Sequence, residues 1–208
     1  MYDSAQFVKQ HWFNRNRIKT LNDIKWLTIP VITAGRLGQP LNKVEIAKPW
    51  ADQHWSIIKL AYERAPFFAQ FEGTVKGWYE LADKQALLTE TNAIFLKGIA
   101  ELLGLSTRIV SDAAYPATGD RMERLLRIVQ AAGASQYLSG PSARAYFDES
   151  MFAAAHITTE WMNYDNYSEY PQINGEFEHA VSILDMIFNT GSETRKYMSS
   201  SSLASTAG

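Results

Sequence analysis

Strand-like and helix-like segments alternate along the second half of this 208-residue chain. Short runs rich in β-branched and aromatic residues are followed by helical patterns, two of which close at a glycine. Such alternation favours parallel strands, because a crossover helix returns the chain to the same end of a sheet. The sequence therefore predicts an α/β fold in a single domain, with a mainly parallel central sheet covered by helices. The strands are predicted at 107–112, 135–140 and 157–164, and the helices at 119–134, 148–155 and 178–191.

The first half carries two further strand patterns and a series of helical ones. "KWLTIPVI" (25–32) and "NKVEIA" (42–47) are typical of strands, and helical spacing follows over 49–65 and 75–104. Gly104 is expected to end the second of these two helical stretches. We expect the folded domain to cover residues 1–197 and the Ser- and Ala-rich tail, 198–208, to be disordered.

Composition excludes several classes of protein. The chain has no cysteine, which rules out disulfides and thiolate catalysis. It has no run near the roughly 18 apolar residues of a membrane helix and no signal-peptide pattern, so we expect no membrane span and a cytoplasmic protein. None of the four histidines belongs to an H-x-x-x-H or H-E-x-x-H pair, so neither a metal nor a cofactor is expected.

The charges are distributed unevenly along the chain. Residues 1–144 hold 18 Lys and Arg against 13 Asp and Glu, whereas residues 145–208 hold two against nine. Such an acidic second half weighs against binding along a nucleic-acid backbone, which needs an extended basic face. We therefore expect no nucleic-acid partner. The asymmetry itself has two equally good explanations: the two halves attract each other across an interface or cleft, or the surface charge is simply uneven.

The opening segment is dense in polar side chains. Arginine offers a planar fork for carboxylate or phosphate, and asparagine offers both a donor and an acceptor. The segment therefore suits recognition of a polar, anionic small molecule, although a solvated basic loop with asparagines as turn residues explains it nearly as well. The residues concerned are Asp3, Gln6, Lys9, His11, Asn14, Arg15, Asn16 and Arg17.

Two later stretches are candidate binding loops. "YLSGPSARAYF" (137–147) runs from a strand into a Ser-Gly-Pro-Ser turn, where main-chain N–H groups can bind an anion and Ser142 suits a helix N-cap. "NYDNYSEYPQINGEFEH" (163–179) mixes aromatic, acidic and amide side chains, which suits a sugar or an amine ligand. Simple capping and a surface loop remain open as structural alternatives for the two stretches. Asp185 stands in an apolar helical pattern, where it either caps a neighbouring group or faces a site.

Six blocks of the sequence, in order, resemble the recurring blocks of the WbqC-like family of bacterial proteins. The resemblance runs from residue 2 to about residue 192, and it is the order of the blocks that makes it specific. The blocks are "YDSAQFVKQHWFNRNRIKT", "WLTIPV", "YERAPFF", "YLSGPSARAYFDE", "YPQ" and "SILDMIFNTG". Family members usually begin with a further strand-like segment that carries a His-Gln-Pro-x-Tyr-like motif. This chain starts after that segment, so we expect it to be N-terminally shortened.

The resemblance implies a role in the biosynthesis of O-antigen, lipopolysaccharide and other surface polysaccharides, or of secondary metabolites. The implied activity is transfer of an acyl or aminoacyl group, such as glycyl, from an activated carrier to an amino group of a nucleotide-linked sugar or related small molecule. The alternative is a non-catalytic binding or scaffold protein of the biosynthetic complex. The positions that match the family blocks are Asp3, Gln6, Phe7, Trp12, Asn14, Arg15, Asn16, Trp50, His54, Tyr62, Ala65, Pro66, Tyr137, Ser139, Gly140, Tyr170, Gln172, Ser182, Asp185 and Asn189.

Roles follow for these residues if the implied transferase activity holds. We expect Asp3 or Asp185 to orient a base or the amine, and His11 or His54 to be the base. Lys9, Arg15 and Arg17 are expected to hold phosphate groups, and N–H groups around Gly140 to bind an anion or oxyanion. The opening segment, the Ser-Gly-Pro turn and the Tyr-Pro-Gln loop are expected to meet at one cleft. The substrate-binding set is Gln6, Lys9, Trp12, Asn14, Arg15, Asn16, Arg17, Ser139, Gly140, Ser142, Tyr170, Gln172 and Asn189.

Overall fold

The computed structural model describes residues 1–115, 117–165 and 167–198. Contacts between residues group this part of the chain into two compact units. The larger unit comprises residues 3–109 and 168–198, and the smaller one residues 1–2 and 110–167. The predicted disorder of 198–208 concerns residues that, apart from Met198, lie outside the described part of the chain.

Six α-helices are found among the described residues, and each begins within or close to a segment with helical spacing. Aspartate side chains cap two of them locally, because Asp120 and Asp148 accept hydrogen bonds from the first N–H groups of α4 and α5. The helices are α1 (Ala51–Tyr62), α2 (Phe68–Ala82), α3 (Leu88–Leu102), α4 (Arg121–Ala131), α5 (Glu149–Ala154) and α6 (Ile183–Thr190). Short 3-10 helices occupy Leu41–Lys43, Asp112–Ala114, Pro141–Ala143 and Gly191–Tyr197.

The larger unit combines a β-hairpin with four of these helices. Strand β1 (Arg15–Lys19) pairs antiparallel with β2 (Ile24–Thr28), and Ile18 and Leu27 turn one face of the hairpin into the core. Helices α1, α2, α3 and α6 supply most of the remaining core. Its largest fully buried side chains include those of Tyr62 and Phe188, whose rings lie 5.3 Å apart.

The smaller unit has its own sheet and core. Strand β3 (Gln136–Ser139) pairs parallel with β4 (Thr158–Trp161). The core of this unit is formed around Val129, Phe152 and Ile157. Here the predicted strand–helix–strand order does produce parallel pairing, since α5 lies between β3 and β4 in the chain.

The mixed helix and strand content is confirmed, but the prediction of a mainly parallel central sheet is wrong. The named strands form two sheets of two strands each, and the sheet of the larger unit is antiparallel. Residues 107–112 form no strand, although the main chains of Val110 and Asp112 are hydrogen-bonded to Met1. Residues 42–47 contribute to a 3-10 helix and to isolated bridges instead of a strand. Short apolar runs fit several local structures equally well, and long-range partners decide among them.

No helix in the described ranges is long and apolar enough to cross a membrane.

Candidate functional site

The side chain of Asp185 is the centre of a buried polar cluster in the larger unit. Asp185 lies in the first turn of helix α6, which Ser182 caps by accepting through its hydroxyl from the N–H of Leu184. Asp185 is fully buried, so its carboxylate depends on hydrogen bonds from the protein. Oδ2 accepts from the Tyr62 hydroxyl at 2.8 Å. Oδ1 accepts from the Tyr170 hydroxyl at 2.7 Å, from Gln172 Nε2 at 2.7 Å and from Asn189 Nδ2 at 3.3 Å.

Three elements supply the donors around this carboxylate. Tyr62 ends α1, Tyr170 and Gln172 lie on the Tyr-Pro-Gln loop, and Asn189 lies one turn after Asp185 on α6. Burial, and then the adjacent Asp185 charge, raise the pKa of the Tyr62 and Tyr170 hydroxyls well above the ordinary range. Both phenols therefore stay protonated and act as hydrogen-bond donors to the carboxylate.

The ammonium group of Lys19 provides the opposite charge in this cluster. Its Nζ donates to Gln172 Oε1 at 2.7 Å, to the Gly175 carbonyl at 3.3 Å and to the Glu176 carbonyl. Because the Gln172 amide accepts from Lys19 and donates to Asp185, it bridges two buried charges of opposite sign. We call Lys19, Tyr62, Tyr170, Gln172, Asp185 and Asn189 the Lys19–Asp185 network.

The Lys19–Asp185 network satisfies its own charged groups with hydrogen bonds and holds the surrounding backbone in place. The three protons of the Lys19 ammonium have three acceptors, and both oxygens of Asp185 have donors. The network also fixes strand β1, because Tyr62 Oη accepts from the Lys19 N–H at 3.1 Å and the Arg17 carbonyl accepts from the Ser182 N–H at 2.7 Å. The side chains on β1 are thereby held in a defined register.

A second cluster lies on the other part of the same strand. Side chains alternate along a strand, so Arg15 and Arg17 share a face of β1, and Arg17 stands opposite Trp26 on β2. The Arg15 guanidinium lies 4.1 Å from the Trp26 ring centre, and that of Arg17 lies 5.7 Å from the rings of both Trp12 and Trp26. The two indoles are 5.0 Å apart. We call Trp12, Arg15, Arg17 and Trp26 the Arg–Trp face.

The Arg–Trp face combines positive charge with exposed aromatic surface. Trp12 is 53% exposed and Trp26 is 39% exposed, although both are large apolar side chains. Arg15 donates to the Gln10 carbonyl, which orients its guanidinium. Guanidinium groups bind phosphate or carboxylate, and exposed indoles stack on flat rings. The face can therefore hold an anion that carries an aromatic or sugar ring.

The other predicted residues of the opening segment are placed in different ways. Asn14 is buried and donates through Nδ2 to the Ile29 carbonyl at 2.9 Å. Asp3 is buried, and its carbonyl accepts from the Asn42 N–H at 2.8 Å. The His11 ring is exposed and lies 4.4 Å from the ring of Phe13. The remaining exposed side chains of the predicted set are those of Gln6, Lys9 and Asn16.

His54 lies in the core of the larger unit. It is 7% exposed, and its Nε2 is 3.1 Å from the Thr28 carbonyl oxygen, a distance at which the ring N–H donates. The Trp50 ring packs edge-on against it at 4.9 Å. Burial lowers the pKa of the His54 imidazole, so this histidine is neutral near pH 7 and is held by the backbone.

The predicted anion site at the Ser-Gly-Pro turn belongs to the smaller unit. Gly140 holds the N-cap position of the 3-10 helix Pro141–Ala143, and no side chain caps that helix. Ser142 therefore lies inside the 3-10 helix and is exposed, which corrects the expectation that it is an N-cap. Ser139 is buried, and its carbonyl accepts from the Met162 N–H. That Ser139, Gly140 and Ser142 meet the opening segment stays a prediction.

Three contributors to these clusters were absent from the predicted site. Lys19 belongs to the basic opening segment, at the same spacing of two as Arg15 and Arg17, and that spacing was an available signal. Tyr62 matched a family block without a role attached. Trp26 stood in a strand-like run where an aromatic residue is unremarkable. Among the described residues, no group of three or more His, Asp or Glu side chains is arranged to hold a metal ion.

Comparison with known proteins bears on the identity of the chain. The model of the WbqC-like protein family matches residues 1–197. The chain belongs to the WbqC-like family. Its similarity to the uncharacterized protein Rv1507c of Mycobacterium tuberculosis amounts to 39% identity over 199 residues, which is 95% of this chain and 86% of the relative. No solved structure matches the chain. The family match covers residues 1–197 and therefore includes the positions of the Lys19–Asp185 network and of the Arg–Trp face.

Proposed function

We propose that this WbqC-like protein transfers an acyl or aminoacyl group, such as glycyl, to an amino group of a nucleotide-linked sugar or a related small molecule. The proposal follows the resemblance to proteins of surface-polysaccharide and secondary-metabolite biosynthesis. The observation that carries it is the Arg–Trp face, where two guanidinium groups lie against two exposed indoles. This combination of charge and ring surface matches the two parts of a nucleotide, its phosphates and its base.

Recognition of the substrate would use both kinds of side chain. Arg15 and Arg17 would hold phosphate oxygens, because each guanidinium presents several N–H donors in one plane. Trp12 and Trp26 would stack on the nucleobase or on the apolar side of the sugar, and stacking on one aromatic side chain contributes about 1–3 kcal/mol per base in nucleic-acid complexes. The Lys19–Asp185 network would hold β1 and so keep the two guanidinium groups at a fixed separation.

The proposed reaction forms one amide bond. The amine nitrogen attacks the acyl carbonyl carbon, the C–N bond forms, and the bond from that carbon to the leaving group of the activated carrier breaks. The proton lost by nitrogen passes to a base, and the leaving group departs with its bonding electrons. Of the two histidines predicted as the base, His11 is exposed, whereas His54 is buried and bonded to a carbonyl. We therefore propose His11 as the base and Asp185 as a positioning residue.

The experiment is to incubate the purified chain with a nucleotide-linked amino sugar and a thioester-activated glycyl donor, and to search for the amide product by mass spectrometry. Binding of the nucleotide sugar is measured in parallel by calorimetry. We expect product with the natural sequence, much weaker binding with Arg15→Ala, and unchanged binding with Lys76→Ala, which removes an exposed cation on α2. If neither product nor binding is observed, the proposal is refuted.

A non-catalytic binding protein is the second candidate, and one observation favours it. Both carboxylate oxygens of Asp185 and the Nε2 of His54, two of the four predicted catalytic residues, are hydrogen-bonded to groups of the protein itself. The same experiment separates the two candidates. Binding that depends on Arg15 without any product would identify a carrier or scaffold of a biosynthetic complex, and product formation that is lost in His11→Ala would identify the transferase.

A further inference from the structure

A cleft of about 380 Å³ lies at the turn end of the β-hairpin, against helix α1. The hairpin side contributes Leu21 and Lys25, the helix contributes Leu60 and Arg64, and the Tyr-Pro-Gln loop contributes Asn174. The volume is within the range of small-molecule sites, which is about 300–1,000 Å³. All its lining residues belong to the larger unit. The cleft is therefore large enough for a small ligand.

The walls of the cleft are better fixed than its position on a turn suggests. Thr20 Oγ1 donates to the Asp23 carbonyl at 2.7 Å and closes the turn. Asn174 Nδ2 donates to the Ala61 carbonyl at 3.1 Å, which ties the loop to α1. Thr20, Ala61 and Asn174 are each next in sequence to a residue bonded within or to the Lys19–Asp185 network. The cleft thus has pre-formed walls, which lowers the entropy cost of binding.

The chemistry of the lining points to an anion with an aliphatic part. Leu21 and Leu60 are 70% and 78% exposed, so two aliphatic side chains face solvent beside the cleft. Lys25 and Arg64 add two positive charges, and Glu63 adds one negative charge, which leaves a net charge of +1. In the described part of the chain, no ion pair within 4.0 Å engages Lys25 or Arg64. Aliphatic surface beside two available cations complements a carboxylate or phosphate on a short alkyl chain.

The cleft is distinct from the Arg–Trp face. Lys25 stands opposite Ile18, so it belongs to the other face of the hairpin from Arg17 and Trp26. The cleft lies at the turn that follows Lys19, whereas Arg15 is at the opposite end of β1, about 13 Å away along the strand. One small molecule on the Arg–Trp face would not fill the cleft.

The geometry points to a second ligand site in this cleft, one that binds a small anion with a short aliphatic chain. The aliphatic part lies against Leu21 and Leu60, and the anionic group lies at Lys25 and Arg64. The Asn174 side chain also lines the cleft, where one of its N–H groups is already donated to the Ala61 carbonyl. This site does not depend on the proposed transferase activity, since it would bind the same class of ligand in a carrier protein.

The test is a titration of the full chain, labelled with 15N, with hexyl phosphate and with hexanoate, followed by amide NMR signals. We expect saturable shifts at Leu21, Asn22 and Asn174, with a Kd on the order of 1 mM or tighter. Acetate, which lacks the chain, and hexylamine, which carries the opposite charge, should produce no saturable shifts at these residues. Tighter binding of hexyl phosphate would identify phosphate as the preferred head group, and tighter binding of hexanoate would identify carboxylate.

Two pairs of variants test the assigned contacts. Leu60→Ala should weaken hexyl phosphate binding about tenfold through lost aliphatic contact, and Leu81→Ala, on an exposed part of α2, should not change it. Lys25→Gln should weaken binding about threefold, and Lys59→Gln, an exposed lysine of α1 outside the cleft, should not. All four positions are exposed, so the variants should fold, which is checked by circular dichroism. Absence of saturable shifts, or equal Kd values within each pair, would overturn the proposal.

Discussion

Replacing Asp185 by asparagine tests whether the Lys19–Asp185 network holds the larger unit together. The side chains are nearly equal in size, so Asp185→Asn removes a charge and an acceptor without opening a cavity. The best placement of the new amide points its NH2 group at Tyr62 Oη, which leaves the Tyr62 hydroxyl proton without its acceptor. The three donors to Oδ1 keep an oxygen, but a neutral one.

The expected cost can be worked from these contacts. A hydrogen bond to a charged group contributes about 1.5–3 kcal/mol and a neutral one about 0.5–1.5 kcal/mol, so weakening three bonds costs about 3 kcal/mol. The buried Lys19 ammonium, which is linked to Asp185 through the Gln172 amide and not by a direct ion pair, also loses an opposite charge. Removing one partner of a directly paired buried charge costs about 3–5 kcal/mol in total, which sets the upper end of the expected range. We therefore expect Asp185→Asn to lower the free energy of unfolding by about 3–5 kcal/mol, a large part of the stability of a typical domain.

Urea unfolding followed by tryptophan fluorescence measures this loss, with Asp52→Asn on the exposed side of α1 as the matched control. The control should change the free energy of unfolding by less than about 0.5 kcal/mol. Lys19→Met should also be costly, and the double variant should lose at least about 1 kcal/mol less than the sum of the two single losses, because both buried charges are then absent. A loss below about 1 kcal/mol for Asp185→Asn, or additive single losses, would refute the coupling through Gln172.

Two further predictions concern other parts of the larger unit. The pKa of His54 is lower in the folded protein than its ordinary value of 6.5, so the unfolded chain binds more protons as the pH falls below about 6.5, and the free energy of unfolding should decrease. His54→Gln should flatten this decrease in urea titrations between pH 7 and pH 5. An unchanged slope would contradict the assignment. At Gly191 the backbone has φ of 57°, and a Cβ there would lie 2.5 Å from the Phe67 ring. Gly191→Ala should therefore lower the melting temperature well beyond the change in Gly35→Ala, where φ is also positive but no atom lies within 4 Å, and equal shifts would show that the contact with Phe67 is unimportant.

Local signals located α1, α4 and α5, because helical spacing and caps are encoded by residues close together in sequence. The single predicted stretch 75–104 missed the start of α2 at Phe68 and the break between α2 and α3. Asp120 and Asp148 stand directly before α4 and α5 and cap them, and Gly104 follows α3 with φ of 62°. The end of α6 at Gly191 was predicted in the same way. Its start was not, because the helical pattern extends back to residue 178, whereas the Ser182 cap begins the helix only at Ile183. Capping residues and glycines thus mark the ends of these helices more closely than apolar spacing does.

The sheet of the larger unit was predicted poorly because strand pairing depends on distant partners. In "RNRIK" only Ile18 is apolar, so β1 had no visible alternation, although it forms the hairpin on which the Arg–Trp face is built. The segment 107–112 had the right composition for a strand but is bonded to the first residue of the chain instead of to a sheet. Composition alone does not distinguish these outcomes.

For the candidate site, local sequence patterns identify the polar residues, whereas the contacts of each one depend on the folded chain. Tyr170, Gln172, Asp185 and Asn189 were identified from family blocks, but whether they face a ligand or one another is not encoded in any block. Lys19 reaches Gln172 across 153 positions of the chain, and only folding brings the two together. Once buried, each charge required donors or acceptors from the protein, because water was no longer available to supply them.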